Sequence, residues 1–378
     1  MSLRKIAIII ILGAALAIFI EGGAYLTATS LQKKGIFYAP HVRETYQAFQ
    51  ARLNPLLGWP SERSYGMGDY DRSGSRVVPA FPDPDRQPAC VSLYGNSFTW
   101  GEEVDNEHAW GNVLSKLLAC RVANYGVGGY GPDQAYLRFH YNVRDHAKIT
   151  FLVHLSENIT RNVGQFRNLA VPVPQFLLKP RFILDGQGQL ELVPMPVISE
   201  RDYVDVNRNP EKYFKHDFFI PGGLSGNQKI SFPFSLVMLR AFKRFNIRNK
   251  FTGEPNYANY YLADHPAQGL QLTAAIIQRF HQEALSRGQE PIVAIFPTGY
   301  DLVYYQKARR WVYQPLMDDL RQRSINALNI GQEIMGRLGD RNPCAMYTRC
   351  EGHLNEAGNE MVAEIVFRYL KSHVSPNY

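Results

Sequence analysis

The chain has 378 residues, with 41 Lys and Arg against 34 Asp and Glu (net charge +7), and 45% of its residues are hydrophobic. These fractions exclude a disordered or collagen-like chain, and the length suits one large domain with insertions or two domains, with ample material for a core. Lys and Arg are scattered without a long block, which reads as a solvated basic surface; nucleic acid is set aside as a partner, and anionic lipid or an acidic polysaccharide fits better.

Arg4 and Lys5 precede Ile6 to Ile20, a stretch without charge, and mostly apolar sequence continues past Glu21 to Leu31. Residues 1–31 read as a signal anchor with its amino terminus in the cytoplasm, or as a signal peptide. No small-x-small site follows Ile20 directly, although Ala24 and Ala28 leave a cleaved, secreted form open. Spanning hydrocarbon takes about 20 residues, so Glu21 belongs near the far interface of a retained helix. The expected location is the periplasmic or extracytoplasmic face, tethered to the membrane. Residues 32–88, with Pro60, Pro79, Pro82, Pro84 and Pro88 among Gly58, Gly66, Gly68 and Gly74, read as an irregular lead-in. It wraps a folded domain rather than hanging free, because Trp59, Tyr65, Tyr70 and Phe81 favour burial.

A strand ending at Val91-Ser92-Leu93-Tyr94 runs into Gly95-Asn96-Ser97-Phe98, and a helix follows with Trp110, Val113, Leu114 and Leu117 on one face. A second strand ends at Asn124-Tyr125-Gly126-Val127-Gly128-Gly129, and a third, Ile149 to Leu155, runs into Ser156-Glu157-Asn158. Alternation of strand and helix predicts a parallel, doubly wound α/β sheet. Residues 161–262 break the rhythm and read as an insertion on the carboxyl side of the sheet. It holds a hairpin from Arg181 to Leu192 around Asp185-Gly186-Gln187-Gly188 and a short helix near Phe234 to Phe245. Its aromatic residues pack a core of the insertion or form a carbohydrate platform, the first being the plainer reading. Lys243, Arg244, Arg248 and Lys250 read as a solvated face, with a basic ridge as the alternative. The pattern resumes with a helix from Leu270 to Arg287, a strand at Pro291 to Phe296, a largely helical stretch from Leu316 to Leu338, and a terminal helix from Asn355 to Leu370. Met361, Val362, Ile365, Val366 and Leu370 form the buried stripe of that last helix, which is preceded by Glu351-Gly352-His353.

Taken singly, these motifs are structural. A Gly-x-Ser turn is common, a lone loop histidine usually caps or packs, and the glycine block is not a phosphate loop because Gly-x-x-x-x-Gly-Lys-Ser/Thr is lacking. Asn158 also opens an Asn-Ile-Thr sequon, which burial would rule out as a glycan site. Cys90 and Cys120 begin the first two strands, and Cys344 and Cys350 stand six apart before His353. Pairing 90 with 120 and 344 with 350 suits an exported protein, with four free thiols as the alternative. No Cys-x-x-Cys or paired-histidine spacing points to zinc, and no cofactor is expected.

In their joint order these motifs resemble the SGNH branch of the GDSL hydrolase superfamily, from about Cys90 to Ser372. Gly95-Asn96-Ser97 is similar to the Gly-Asp-Ser block, Asn124-x-Gly126-x-x-Gly129 to the glycine block, and Ser156-Glu157-Asn158 to the Gly-x-Asn block. The resemblance implies a three-layer α/β/α fold with a flavodoxin-like sheet, built from 89–160 and 263–375. It implies Ser97 as nucleophile, His353 as base, and an oxyanion hole of the Ser97 and Gly129 N–H groups with the Asn158 amide. Asn96 replaces the usual Asp, Ser156 replaces a glycine, and Cys350 stands three before His353 where the orienting Asp belongs. Glu351 is the expected substitute. In a serine protease, loss of that charge costs about 10⁴ in turnover. The implied activity is ester hydrolysis through an acyl-Ser97 intermediate, on acyl (acetyl) esters of a cell-envelope carbohydrate or another small ester. The alternatives are an O-acyltransferase for an exported polysaccharide, served by a membrane acyl donor protein, and a silent scaffold on the same fold.

Overall fold

The computed structural model describes residues 2–60, 68–242 and 253–373. They form two compact units. One comprises 1–49, 166–177 and 196–250; the other comprises 50–165, 178–195 and 251–378.

The second unit carries a five-stranded parallel sheet of β1 (Ala89–Tyr94), β2 (Arg121–Asn124), β3 (Ile149–Leu155), β6 (Glu290–Phe296) and β7 (Ala327–Asn329), in the order β2-β1-β3-β6-β7. β4 (Arg181–Leu184) and β5 (Leu190–Val193) pair separately as an antiparallel hairpin. β3 is buried at every position, as a central strand covered on both faces must be, which is why its sequence is nearly all apolar. Helices Trp110–Leu118, Ile330–Leu338 and Glu356–His373 pack together on one side. Pro132–Tyr141, Gly269–Ser286 and Gln314–Gln322 do so on the other. This is the expected three-layer α/β/α architecture. Trp110 and Leu114 of the first helix, and Val362, Ile365, Val366 and Leu370 of the last, are buried. Full burial of such side chains stabilises by about 1.5–3 kcal/mol each. The strand order reverses between β1 and β3, and the crevice at such a switch point, outside the carboxyl ends of the strands, is where open α/β sheets place their sites.

Several sequence expectations are revised. Residues 316–338 are not one helical stretch: Ser324 takes φ +62° after the helix Gln314–Gln322, and β7 then pairs with β6. The segment 161–262 is not one body either. The β4–β5 hairpin belongs to the sheet unit, where the buried Lys179 ammonium pairs with the buried Asp133 carboxylate, and residues 253–262 belong there too. The cysteines, by contrast, pair as expected, Cys90 with Cys120 and Cys344 with Cys350, at Cα separations of 6.2 and 4.6 Å.

The first unit holds the helix Leu3–Gln32, which is long and apolar enough to cross a bilayer. A cluster of its aromatic residues forms a core. Phe49 lies 4.8 Å from Phe176, which lies 4.7 Å from both Phe166 and Tyr203, and Phe166 stacks on Phe214 at 5.1 Å. The sequence positions Tyr65, Gly66, Lys243, Arg244, Arg248 and Lys250 lie outside the described residues.

Candidate active site

The turn after β1 is built by sterics and one cap. A Cβ at Gly95 would stand 2.0 Å from Thr99 Oγ1 and 3.0 Å from Val153 Cβ, so only glycine fits. Asn96 Oδ1 accepts the Phe98 N–H at 2.8 Å, and the Asn96 N–H donates to Thr99 Oγ1 at 3.2 Å. The side chain acts as an acceptor here, a role that Asn and Asp fill alike. Ser97 then opens the short helix Ser97–Trp100, is 5% exposed, and carries an N–H with no acceptor inside the turn.

The glycine block lies directly against this turn. A Cβ at Gly126 would come within 2.5 Å of Trp100 N and 2.9 Å of Asn96 O, while Val127 N–H donates to Gly95 O at 3.2 Å. Gly129 has φ +84°, a conformation suited to glycine, with the Trp59 indole 3.4 Å from where its Cβ would be. Trp59 Nε1 donates to Gly128 O at 3.0 Å, and the Trp59 carbonyl accepts the Tyr130 hydroxyl. The lead-in therefore braces the loop that carries Gly129.

Asn158 lies in the 3-10 turn that follows β3 and is fully buried, which closes the glycan reading of its sequon. Its Nδ2 donates to Tyr130 O at 3.1 Å, and Arg161 Nη1 reaches the same oxygen at 2.9 Å. Ser156 has a structural partner of its own: its hydroxyl donates to the buried Asp301 carboxylate, which also takes the Thr298 N–H at 2.8 Å. Burial pushes Asp301 up to about 6, against the lowering effect of those hydrogen bonds and one from Tyr257.

His353 sits at the end of a loop closed by the Cys344–Cys350 bond and by a bridge between Tyr347 and Leu354. Thr348 N–H donates to His353 O at 2.9 Å, and Asn355 Nδ2 holds Ala345 O at 2.8 Å. The imidazole centroid lies 5.1 Å from that of Phe98, the residue after Ser97. Ser97 and His353 thus stand at one rim of the sheet, 256 residues apart in the chain (353 less 97).

The carboxylate beside the imidazole is not the expected one. Glu351, exposed on the outside of the turn before Gly352, accepts the Tyr300 hydroxyl at 3.3 Å. Glu103 Oε1 instead lies 3.3 Å from His353 Nδ1, a contact not aligned as a hydrogen bond, and Glu102 Oε2 lies 3.7 Å from Nε2. Glu103 takes φ +72°, uncommon for a residue other than glycine, and its carboxylate accepts the Thr348 hydroxyl. That hydrogen bond, helped by His353, holds Glu103 below the usual carboxylate range against the opposing effect of desolvation. Sequence reasoning missed Glu103; the only cue was an acidic pair close behind Ser97. His154 is no rival base, because burial lowers it to about 3. Among the described residues no group of His, Cys, Asp and Glu is arranged to hold a metal ion.

No family model and no curated protein matches the chain. Solved structures do resemble it. A member of the lipolytic protein G-D-S-L family from Veillonella parvula is 11% identical, with a TM-score of 0.32 over 74% of this chain and 97% of its own. The acetyl xylan esterase AlAXEase is 11% identical, with a TM-score of 0.37 over 74% and 98%. The acetyl-xylooligosaccharide esterase Axe2 from Geobacillus is 10% identical, with a TM-score of 0.38 over 75% and 94%.

Proposed function

We propose that the protein is a serine ester hydrolase of the SGNH type. One observation carries this reading: the Ser97 turn and the His353 imidazole share the rim at the sheet's switch point, with a carboxylate at Nδ1. His353 Nε2 takes the Ser97 proton as Oγ attacks the ester carbonyl, and Glu103 orients the ring and stabilises the imidazolium. The Ser97 and Gly129 N–H groups and the second N–H of the Asn158 amide stabilise the oxyanion. Collapse of the tetrahedral intermediate expels the alcohol, which takes its proton from His353. Water then attacks acyl-Ser97, with His353 as base again. The two disulfides and the apolar N-terminal helix support an extracytoplasmic, membrane-tethered location, which puts acyl esters of cell-envelope carbohydrate within reach.

A fluorophosphonate probe, followed by mapping of the adduct, tests the assignment. Labelling at Ser97 is expected, together with p-nitrophenyl acetate turnover lost in Ser97→Ala and His353→Ala at unchanged melting temperature. No adduct under conditions that label a control esterase would leave a silent scaffold. Acetyl moved to an oligosaccharide with little free acetate would make the same site a transferase.

A further inference from the structure

The helix Leu3–Gln32 is about 45 Å long at 1.5 Å per residue, well beyond the roughly 30 Å of hydrocarbon it would cross. Glu21 lies 16 residues after Lys5 (21 less 5), about 24 Å along the axis and so near the far boundary of that slab. A carboxylate there needs partners. It has them in the short helix Phe234–Phe242, whose Phe234 N–H and Ser235 hydroxyl both donate to Glu21, with the Ser235 N–H at 3.3 Å. A negative side chain thus caps the positive end of a second helix. Tyr25 packs on Phe234 at 5.0 Å, and Ala28 shares a buried cluster with Val237, Met238 and Ala241, flanked by Ala24 and Leu31.

This packing uses one face of the short helix, and the opposite face is apolar as well. Leu236, Leu239 and Phe242, spaced by three, are 42%, 62% and 53% exposed, and Phe232 at the entering tip is 73% exposed. A helix with apolar residues on two opposite faces suits a core or lipid. Tyr25 and Leu26 of the long helix are exposed as well, and Tyr25 lies beside Phe234 at the start of the short one. Arg240 is exposed in the last turn, and the sequence continues with Lys243 and Arg244, charges that suit anionic headgroups.

We propose that Phe232 to Phe242 forms a second membrane contact, lying at the headgroup–acyl boundary beside the spanning helix, with lipid as the occupant of its free face. The proposal rests on the reading that the N-terminal helix spans the bilayer, and it is independent of the catalytic assignment.

The test uses the full chain reconstituted in phosphatidylethanolamine and phosphatidylglycerol vesicles. Phe232→Cys, Leu239→Cys and the aqueous control Val197→Cys, a site 97% exposed, are labelled with a polarity-sensitive dye. The four native cysteines are bonded and leave the introduced thiol unique. The labels on Phe232→Cys and Leu239→Cys are expected to emit blue-shifted from that on Val197→Cys, with quenching by headgroup-level nitroxide lipid and little by iodide. Iodide quenching equal to the control overturns the proposal. Shielding from both quenchers overturns it too, since a second copy or another protein would then cover the face. Alkaline carbonate extraction separates the two failures. Release of the wild type ends the spanning reading and this proposal with it; retention with iodide-accessible labels ends this proposal alone.

Discussion

Glu103→Gln removes a charge 3.3 Å from His353 Nδ1 while keeping the shape and a hydrogen-bond acceptor. In a serine protease the corresponding loss costs about 10⁴ in turnover, but there the Asp is buried. Glu103 is 35% exposed, so water screens its attraction for the imidazolium that the proposed mechanism forms as Ser97 attacks. At an effective dielectric between about 40 and 80, Coulomb's law at that separation gives about 1.3 to 2.5 kcal/mol. The expected result is a fall of about 10- to 70-fold in kcat with p-nitrophenyl acetate, and KM nearly unchanged, because the interaction strengthens only in the transition state. Glu103→Asp should fall between wild type and Glu103→Gln. Glu351→Gln, whose target is Tyr300, should stay close to wild type. A Glu103→Gln enzyme with wild-type kcat, or a Glu351→Gln enzyme with the larger loss, would refute the assignment.

Gly126→Ala forces a Cβ to within 2.5 Å of Trp100 N and 2.8 Å of Thr99 Cβ, neither able to yield, and should cost about 3 kcal/mol in urea unfolding together with most activity. Gly186→Ala, with open space around it, is the neutral control. Asp301 supplies a pH prediction. Its folded-state value near 6 lies above the ordinary 3.8, so the carboxyl favours the folded state below about pH 4 and loses that advantage as pH rises through 6. Relative to Asp301→Asn, the wild type should therefore weaken by up to about 3 kcal/mol between pH 4 and 6 and stay level above. A difference flat across that range in urea titrations would contradict it.

What could be read from the chain was what local pattern encodes. The apolar runs of β1, β2, β3 and β6, the buried stripes at Trp110 and Val362, and the turn at Ser97 all announce themselves within a few residues. β7 did not, because three residues between two helical patterns carry no period of their own. The division into units was equally hidden, since local pattern says nothing of which body a segment joins, and the chain passes between units near 49, 165, 177, 195 and 250. Glu103, Trp59 and Asp301 owe their places to partners 250, 69 and 145 residues distant: His353, Gly128 and Ser156. The expectation for Glu351 failed because adjacency in sequence stood in for direction.

On the proposed mechanism, the two carboxylates that bracket His353 would also act as a filter. Glu102, half exposed, holds its charge 3.7 Å from Nε2, and a Cβ at Gly128 would lie 3.2 Å from its Oε2. An acyl donor that carries its own anion close to the scissile bond would meet repulsion of about 1 kcal/mol from each of Glu102 and Glu103 at 6 Å and a dielectric near 50. Uncharged acyl groups on neutral alcohols enter without that penalty, and ions in solution would soften the discrimination, so selectivity between the two should fade as ionic strength rises.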